Sequence, residues 1–315
     1  MLCSKFEFVV PKMPKVIILD GGMSRELMRV NAPFRQPEWS ALALMEAPQL
    51  VEQVHAEFAA AGAQVLTTNS YALVPFHIGE ERFFQHGEKL AAEAGRLARK
   101  AADSTGQAII AGSLPPLFGS YEPDKFQASL APTYIDILVR GLAPYVDVWL
   151  GETLSLIAEA EVVVTATKNS NKPVWIAFTL DESDESPPSL RSGELVKDAA
   201  RWALHSGVKA LLFNCCRPEV IDAAVCVAKA VVGESVRIGA YANSFEPKPK
   251  MHQANEVVSG LREDLSPVQY GEYANRWIES GASIVGGCCG IGCEHIRLLA
   301  AACKNQPADV EKLLR

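Results

Sequence analysis

The sequence predicts a single (β/α)8 barrel, and three observations carry the prediction. A short β-branched apolar run ending in Gly, Asn, Ser, Cys or Asp recurs eight times along the 315 residues. An amphipathic stretch with helical spacing follows each run. No segment rich in Pro, Gly or Ser divides the chain. Continuous apolar runs bounded by turn residues read as strands buried on both faces, the habit of parallel sheets. A doubly wound open sheet alternates in the same way, yet eight units of similar length close into a barrel without leftovers. The barrel is expected over residues 16–305, between an N-terminal tail at 1–15 and a C-terminal tail at 306–315.

In order, the expected strands are VIILDGG (16–22), AQVLTTNSY (63–71), AIIAGSLPP (108–116), VDVWLGETL (146–154), PVWIAFTL (173–180), KALLFNCC (209–216), RIGAYANS (237–244) and ASIVGGCCG (282–290). Helical periods lie between them, among them APQLVEQVHAEFAAAG, EKLAAEAGRLARKAADS, GELVKDAARWALHSG and PEVIDAAVCVAKAVV. Gly62, Gly207 and Gly281 sit where a left-handed cap ends a helix. Pro218 stands near a helix start, where its missing N–H costs little. Two longer polar loops, 181–194 and 245–264, each follow a strand and are expected at the face that carries chemistry. The acidic run DESDE in the first of them reads as solvated loop.

Composition closes off several classes. With 49% hydrophobic and 21% charged residues the chain is too apolar for disorder. Its apolar runs fall short of the ~18 residues a membrane helix needs. A net charge of −7 without a basic stripe argues against nucleic acid. The segment MLCSKFEFVVPKMPK does not read as a secretory signal. The expectation is a cytoplasmic enzyme acting on small molecules, with neither a nucleic-acid nor a membrane partner.

The eight cysteines sort by position. Cys3, Cys226 and Cys303 fall in the N-terminal tail and helices, where a thiol behaves as a small hydrophobe. Cys215 and Cys216 end the sixth strand and Cys288 and Cys289 the eighth, with Cys293 just beyond. Strand C-termini are where barrel enzymes keep their catalytic groups. Three thiolates without a fourth protein ligand leave an open vertex on a tetrahedral zinc, the pattern of a catalytic site. Sulfur-only ligation favours zinc over magnesium or calcium. Absence of a CxxC pair argues against a zinc ribbon or a thioredoxin-type site. Strand alternation lets only one of Cys215 and Cys216 face the centre, and does not say which. Glycines around 288–289 permit a turn that aims both of that pair inward.

DGGMSREL at 20–27, TTNSY at 67–71, GET at 151–153, FNC at 213–215 and GGCCG at 286–290 together resemble the homocysteine S-methyltransferase family. The resemblance spans about residues 16–303, and the DGG form is closer to its S-methylmethionine branch than to its betaine branch. It implies a zinc-bearing barrel with Cys215, Cys288 and Cys289 as ligands to one Zn2+ per chain. Asn214 before Cys215 matches the family's Asn-Cys pair and selects 215 over 216. It further implies that Asp20 and Glu152 receive the ammonium of homocysteine; both end expected strands, although Asp20 also suits a helix cap. Asn69, Ser113 or the amides of 112–114 are positioned to receive the acceptor's carboxylate, and equally to satisfy local turns.

The implied reaction moves a methyl group from a sulfonium, S-methylmethionine or S-adenosylmethionine, to the homocysteine thiol, giving methionine. Betaine as donor and selenocysteine or another small thiol as acceptor remain open. Trp39 and Tyr71 are candidates to hold the onium on their faces, whereas Phe76 reads as core. A metal-held thiolate needs no general base, so none of His55, His77, His205, His252 and His295 is assigned one, and each is expected solvated or hydrogen-bonded. Two stretches depart from the family, the compact GSLPPLFGSYEPDKF and YANSFEPKPKM. Rival readings are a lyase or isomerase that cradles a phosphorylated substrate on GGCCGIG, a zinc hydrolase, and a non-catalytic thiol or metal binder.

Overall fold

Parallel pairing is the outcome of strands this apolar, because a sheet without polar alternation must be covered on both faces. A computed structural model describes residues 16–106, 108–183, 187–246 and 260–303. Its strands are β1 (Ile17–Ile18), β2 (Val65–Thr67), β3 (Ile109–Leu114), β4 (Val148–Leu154), β5 (Val174–Phe178), β6 (Ala210–Asn214), β7 (Arg237–Tyr241) and β8 (Ile284–Val285). They form one sheet in the order β1-β8-β7-β6-β5-β4-β3-β2. A parallel bridge between Leu19 and Val65 joins its two edges. The Gln64 amide donates to the Ile18 carbonyl, and the Asp20 amide to that of Val65. The sheet is therefore a closed (β/α)8 barrel, and the open doubly wound alternative is excluded.

Period-two alternation divides the apolar residues between two cores. Ile17, Leu19, Val148, Leu150, Trp175 and Leu212 fill the barrel interior. Ile18, Trp149, Ile176, Leu211 and Phe213 point outward into the layer beneath the helices. Both sides exclude water, which is why the strands read as unbroken apolar runs.

The ladders are shorter than the runs that predict them. Only Ile284–Val285 of the stretch 282–290 pairs in the sheet, and the glycine-rich remainder folds over the mouth instead. Gly62 ends the helix Pro48–Ala61 at φ 107, and Gly207 ends the helix Val196–Ser206 at φ 81. Pro218 opens the helix Pro218–Val232. The helix expected from residue 88 starts at Glu80 and runs to Thr105, with Glu80 and Glu81 in its first turn favouring the positive end of its dipole. No described helix is long and apolar enough to cross a membrane. Cys3, His252 and both expected tails lie outside the described residues.

His55 departs from expectation. It is fully buried on the helix Pro48–Ala61, and neither ring nitrogen has a hydrogen-bond partner among the described residues. Burial pushes its pKa down to about 4, so the unfolded chain binds the proton more readily. Stability is complete above the unfolded value of roughly 6.5 and falls as pH drops toward the folded value, by at most about 3 kcal/mol for this residue. The variant His55→Leu should lose less stability than wild type between roughly pH 7 and pH 4.5. Urea unfolding at both values measures this, and equal losses would remove His55 from the account.

Candidate metal centre and acceptor site

Five of the groups singled out at the strand ends open on one cavity of about 190 Å³ over the barrel mouth. Its floor takes Asp20 from the end of β1, Glu152 from β4, Cys215 after β6, and Cys288 and Cys289 after β8.

The choice between Cys215 and Cys216 is made by the backbone. Cys215 adopts φ 51, a left-handed conformation that side-chain-bearing residues enter at a cost. That residue breaks the strand alternation and turns its sulfur toward the mouth. Cys216 is fully buried in the outer core, against the helices, where burial pushes its thiol up. Asn214 supports the turn. Its Oδ1 accepts from the Thr153 amide at 3.0 Å, and its Nδ2 donates to Thr153 Oγ1 at 2.9 Å. Thr153 itself sits at φ 58, where the β4–β5 register shifts between Gly151 and Leu154. One buried amide thus fixes both the irregularity beside Glu152 and the strand end that precedes Cys215.

The eighth loop reaches the same point by close backbone packing. The Gly22 amide donates to the Ile291 carbonyl at 2.8 Å, and the Gly287 amide to that of Asp20 at 2.9 Å. A Cβ at Gly22 would collide with the Cys288 carbonyl, so DGG and GGCCG approach each other only as glycines. Tyr270 pins the neighbouring loops, accepting from the Ala242 amide at 3.0 Å and donating to the Gly286 carbonyl at 2.7 Å.

The result is a trio of sulfurs all within 4.8 Å of one another, with Cys215 and Cys289 Sγ 3.8 Å apart. Bonds of about 2.3 Å to a tetrahedral zinc place ligand sulfurs about 3.8 Å apart, so the donor set fits that ion. Hydrogen bonds from Cys288 and Cys289, and one from the Tyr121 hydroxyl at 2.9 Å, hold the Cys215 thiol well below its ordinary range. The same exchange, with burial, pushes Cys288 and Cys289 up. A second group, Glu26, Glu57 and Cys293, also lies together. There the Arg29 guanidinium already bonds both carboxylates and offsets part of their charge.

Both acids are buried. Asp20 accepts from the Thr67 amide at 2.7 Å and Thr67 Oγ1 at 2.9 Å, yet burial pushes it up to about 8. Glu152 accepts from Ser113 Oγ and, at 3.4 Å, from the Tyr241 hydroxyl, and burial raises it to about 7. Ser113 is fully buried behind Glu152 and is not part of the cavity wall. Its amide is committed to Thr68 Oγ1, so it orients Glu152 and offers nothing to the cavity. Asn69 does line the cavity, with its amide nitrogen donating to the Ser40 carbonyl at 3.1 Å.

Toward the mouth stand Trp39, whose ring meets Phe34 edge-on at 5.5 Å, and Tyr71, whose hydroxyl lies 2.7 Å from Ser120 Oγ. Tyr121 and Phe245 complete the aromatic wall. Phe76 lies outside this cavity and borders a separate groove. His77 lines the cavity; its Nδ1 sits 2.9 Å from the Pro37 carbonyl, and burial lowers it to about 4. The sequence marked Asn214 only as a neighbour of Cys215, and did not point to Tyr121, Tyr241 or Tyr270 at all.

The family model described as homocysteine S-methyltransferase matches residues 17–303. The chain is 27% identical to homocysteine S-methyltransferase 1 of Brassica oleracea var. italica, covering 90% of this chain and 92% of that one. It is 26% identical to a selenocysteine methyltransferase of Astragalus bisulcatus, over 87% and 88%. The oxidized form of the Escherichia coli homocysteine methyltransferase MmuM superposes with a TM-score of 0.76 at 25% identity, over 91% of this chain and 96% of that one. With the match running unbroken from the first strand to the last helix, this chain belongs to the homocysteine S-methyltransferase family and is a thiol methyltransferase.

Proposed function

We propose that this enzyme transfers a methyl group from a sulfonium donor, S-methylmethionine foremost, to the thiol of homocysteine, at a zinc held by Cys215, Cys288 and Cys289. The observation that carries the reading is the convergence of three thiols, two buried carboxylates and an aromatic wall on one cavity. Zinc bound by the three cysteines supplies an open vertex and keeps the acceptor's sulfur a thiolate at neutral pH, where a free thiol of pKa about 8.5 is mostly protonated.

The chain's own groups do the rest. Asp20 and Glu152 take the acceptor's ammonium, which draws the two buried carboxyls into their charged form and gives each a charge-assisted contact. Ser113 and Tyr241 hold the Glu152 carboxylate toward the cavity. Trp39 and Tyr71 offer ring faces to an onium, binding the cation without placing a competing nucleophile beside it. Attack of a thiolate on a cation cancels charge, so a dry aromatic wall does not penalise the transition state as it would one that creates charge. Positioning the two partners in line supplies much of the rate. His77, buried and neutral, serves as wall.

Likeness to a selenocysteine methyltransferase favours a second acceptor, and the cavity that takes a thiolate takes a selenolate by the same chemistry. A screen of S-methylmethionine, S-adenosylmethionine and betaine against homocysteine and selenocysteine, scored by methylated product, decides donor and acceptor together. Methionine formed fastest from S-methylmethionine is the expected result, and no product from any onium overturns the proposal.

Purified, reduced protein should carry about one zinc per chain. Cys215→Ser, Cys288→Ala and Cys289→Ala should each lose it, whereas Cys216→Ser should keep it. Elemental analysis reads the outcome, and zinc retained by Cys215→Ser but lost by Cys216→Ser would reassign the ligand.

Glu152→Gln should leave zinc content intact while raising the acceptor's KM roughly ten- to a hundredfold, the worth of a hydrogen bond to a charged group. In wild type the acceptor's KM should climb as pH falls through about 7, because protonation removes the anion that binds the ammonium. Acceptor binding near that pH should release protons, which calorimetry in buffers of different ionisation enthalpy detects. A pH-independent KM would remove Glu152 from the site.

A further inference from the structure

Tyr121 stands in the aromatic wall and also touches the sulfur trio. It lies on the loop after β3 at φ 66, and its hydroxyl donates to Cys215 Sγ at 2.9 Å. Among the described residues it is the one side-chain hydroxyl bonded to any of the three sulfurs. The Arg191 guanidinium stands 5.7 Å from its ring centroid. Ser120, the preceding residue, bonds the Tyr71 hydroxyl. The loop that caps Cys215 is therefore the same one that braces the donor-side wall, and Cys215 is the protein sulfur tied to that side.

A site that activates sulfur toward an onium faces a hazard of its own making. Cysteine thiolates are nucleophiles of the same kind as the acceptor's thiolate. Attack by Cys215 would form a bond from its sulfur to the methyl carbon while the donor's carbon–sulfur bond breaks, leaving the electron pair on a neutral sulfide. No oxidant, reductant or proton is needed. The product, a thioether, is a neutral and poor ligand. A hydrogen bond donated to a thiolate draws density from it and occupies a lone pair, and one to a charged group is worth enough to slow attack roughly tenfold or more.

We propose that Tyr121 is a positioning residue that holds Cys215 as a ligand and suppresses its attack on the donor, so that methyl is directed to the acceptor's sulfur. This rests on the functional reading above. The cation over the ring face holds the phenol in place.

The test compares metal-loaded wild type and Tyr121→Phe incubated with S-methylmethionine and no acceptor, with Cys215 methylation followed by peptide mass spectrometry. Iodoacetamide labelling of Cys215 gives a donor-independent reactivity, and the thiolate-to-metal charge-transfer band of the cobalt(II)-substituted proteins reports sulfur electron density. Expected are Cys215 methylation and labelling about tenfold faster in Tyr121→Phe, a shifted band, and unchanged zinc content. Arg191→Ala, which keeps the Tyr121 side chain but removes the cation that positions its ring, should shift the same readouts in the same direction and serves if Tyr121→Phe does not fold. Tyr134→Phe, whose hydroxyl bonds Glu80 away from the cavity, should behave as wild type. Equal rates and an unchanged band in both variants overturn the inference, even where wild type binds zinc and methylates homocysteine. Wild type without zinc or product overturns the functional reading instead.

Discussion

The crowding of buried acidic groups onto one cavity floor is the constraint on which the site depends. Asp20, Glu152 and three thiols share one cavity floor, and the only Lys or Arg among the described residues lining that cavity is Arg25. Desolvation makes each anion expensive unless a cation joins it. The partners of the proposed reaction are all positive where they would meet the protein: an ammonium, a divalent ion and an onium methyl. The same sign weighs against a phosphorylated substrate cradled on the glycine-rich eighth loop. That loop lies beside the carboxylates and carries two of the sulfurs itself.

Bringing five acidic groups together takes backbone departures from regularity, and they concentrate where the chemistry is. Cys215, Thr153 and Tyr121 all hold positive φ, a cost that surrounding structure must offset. Asn214 offsets two of the three by bonding across from β6 to β4. At the opposite ends of the strands, among the described residues, Asn171 in the turn before β5 is the one side-chain-bearing residue at positive φ.

The barrel was legible because period and length act locally: apolar runs of strand length, helices between them, and glycine or proline at their ends. The sulfur trio was legible through GGCCG and the Asn-Cys pair. Alternation alone left Cys215 and Cys216 undecided, since it assumes a regular strand and the answer lay in a left-handed residue. Ser113 was expected at the substrate and stands behind Glu152, because position along a strand does not reveal which neighbour captures a hydroxyl. Tyr121, Tyr241 and Tyr270 escaped notice for a related reason. Their contacts join segments far apart in sequence, and nothing periodic in the sequence says which partner a hydroxyl reaches. His55, expected to be solvated or hydrogen-bonded, is instead fully buried with no partner among the described residues for either ring nitrogen.

The barrel's seam is its slightest part. β1 and β8 share two ladder pairs, and a lone bridge joins β1 to β2, so the sheet itself contributes little where the circle closes. Sealing falls to the glycine-to-carbonyl links of the two loops that also bear Asp20, Cys288 and Cys289. Regions with few ladder bonds open first, and a cation gripped by sulfurs from β6 and β8 would staple this region to a strand two places away. Loading the site and fastening the hoop are one event, and amide exchange along 284–291 becomes a gauge of occupancy.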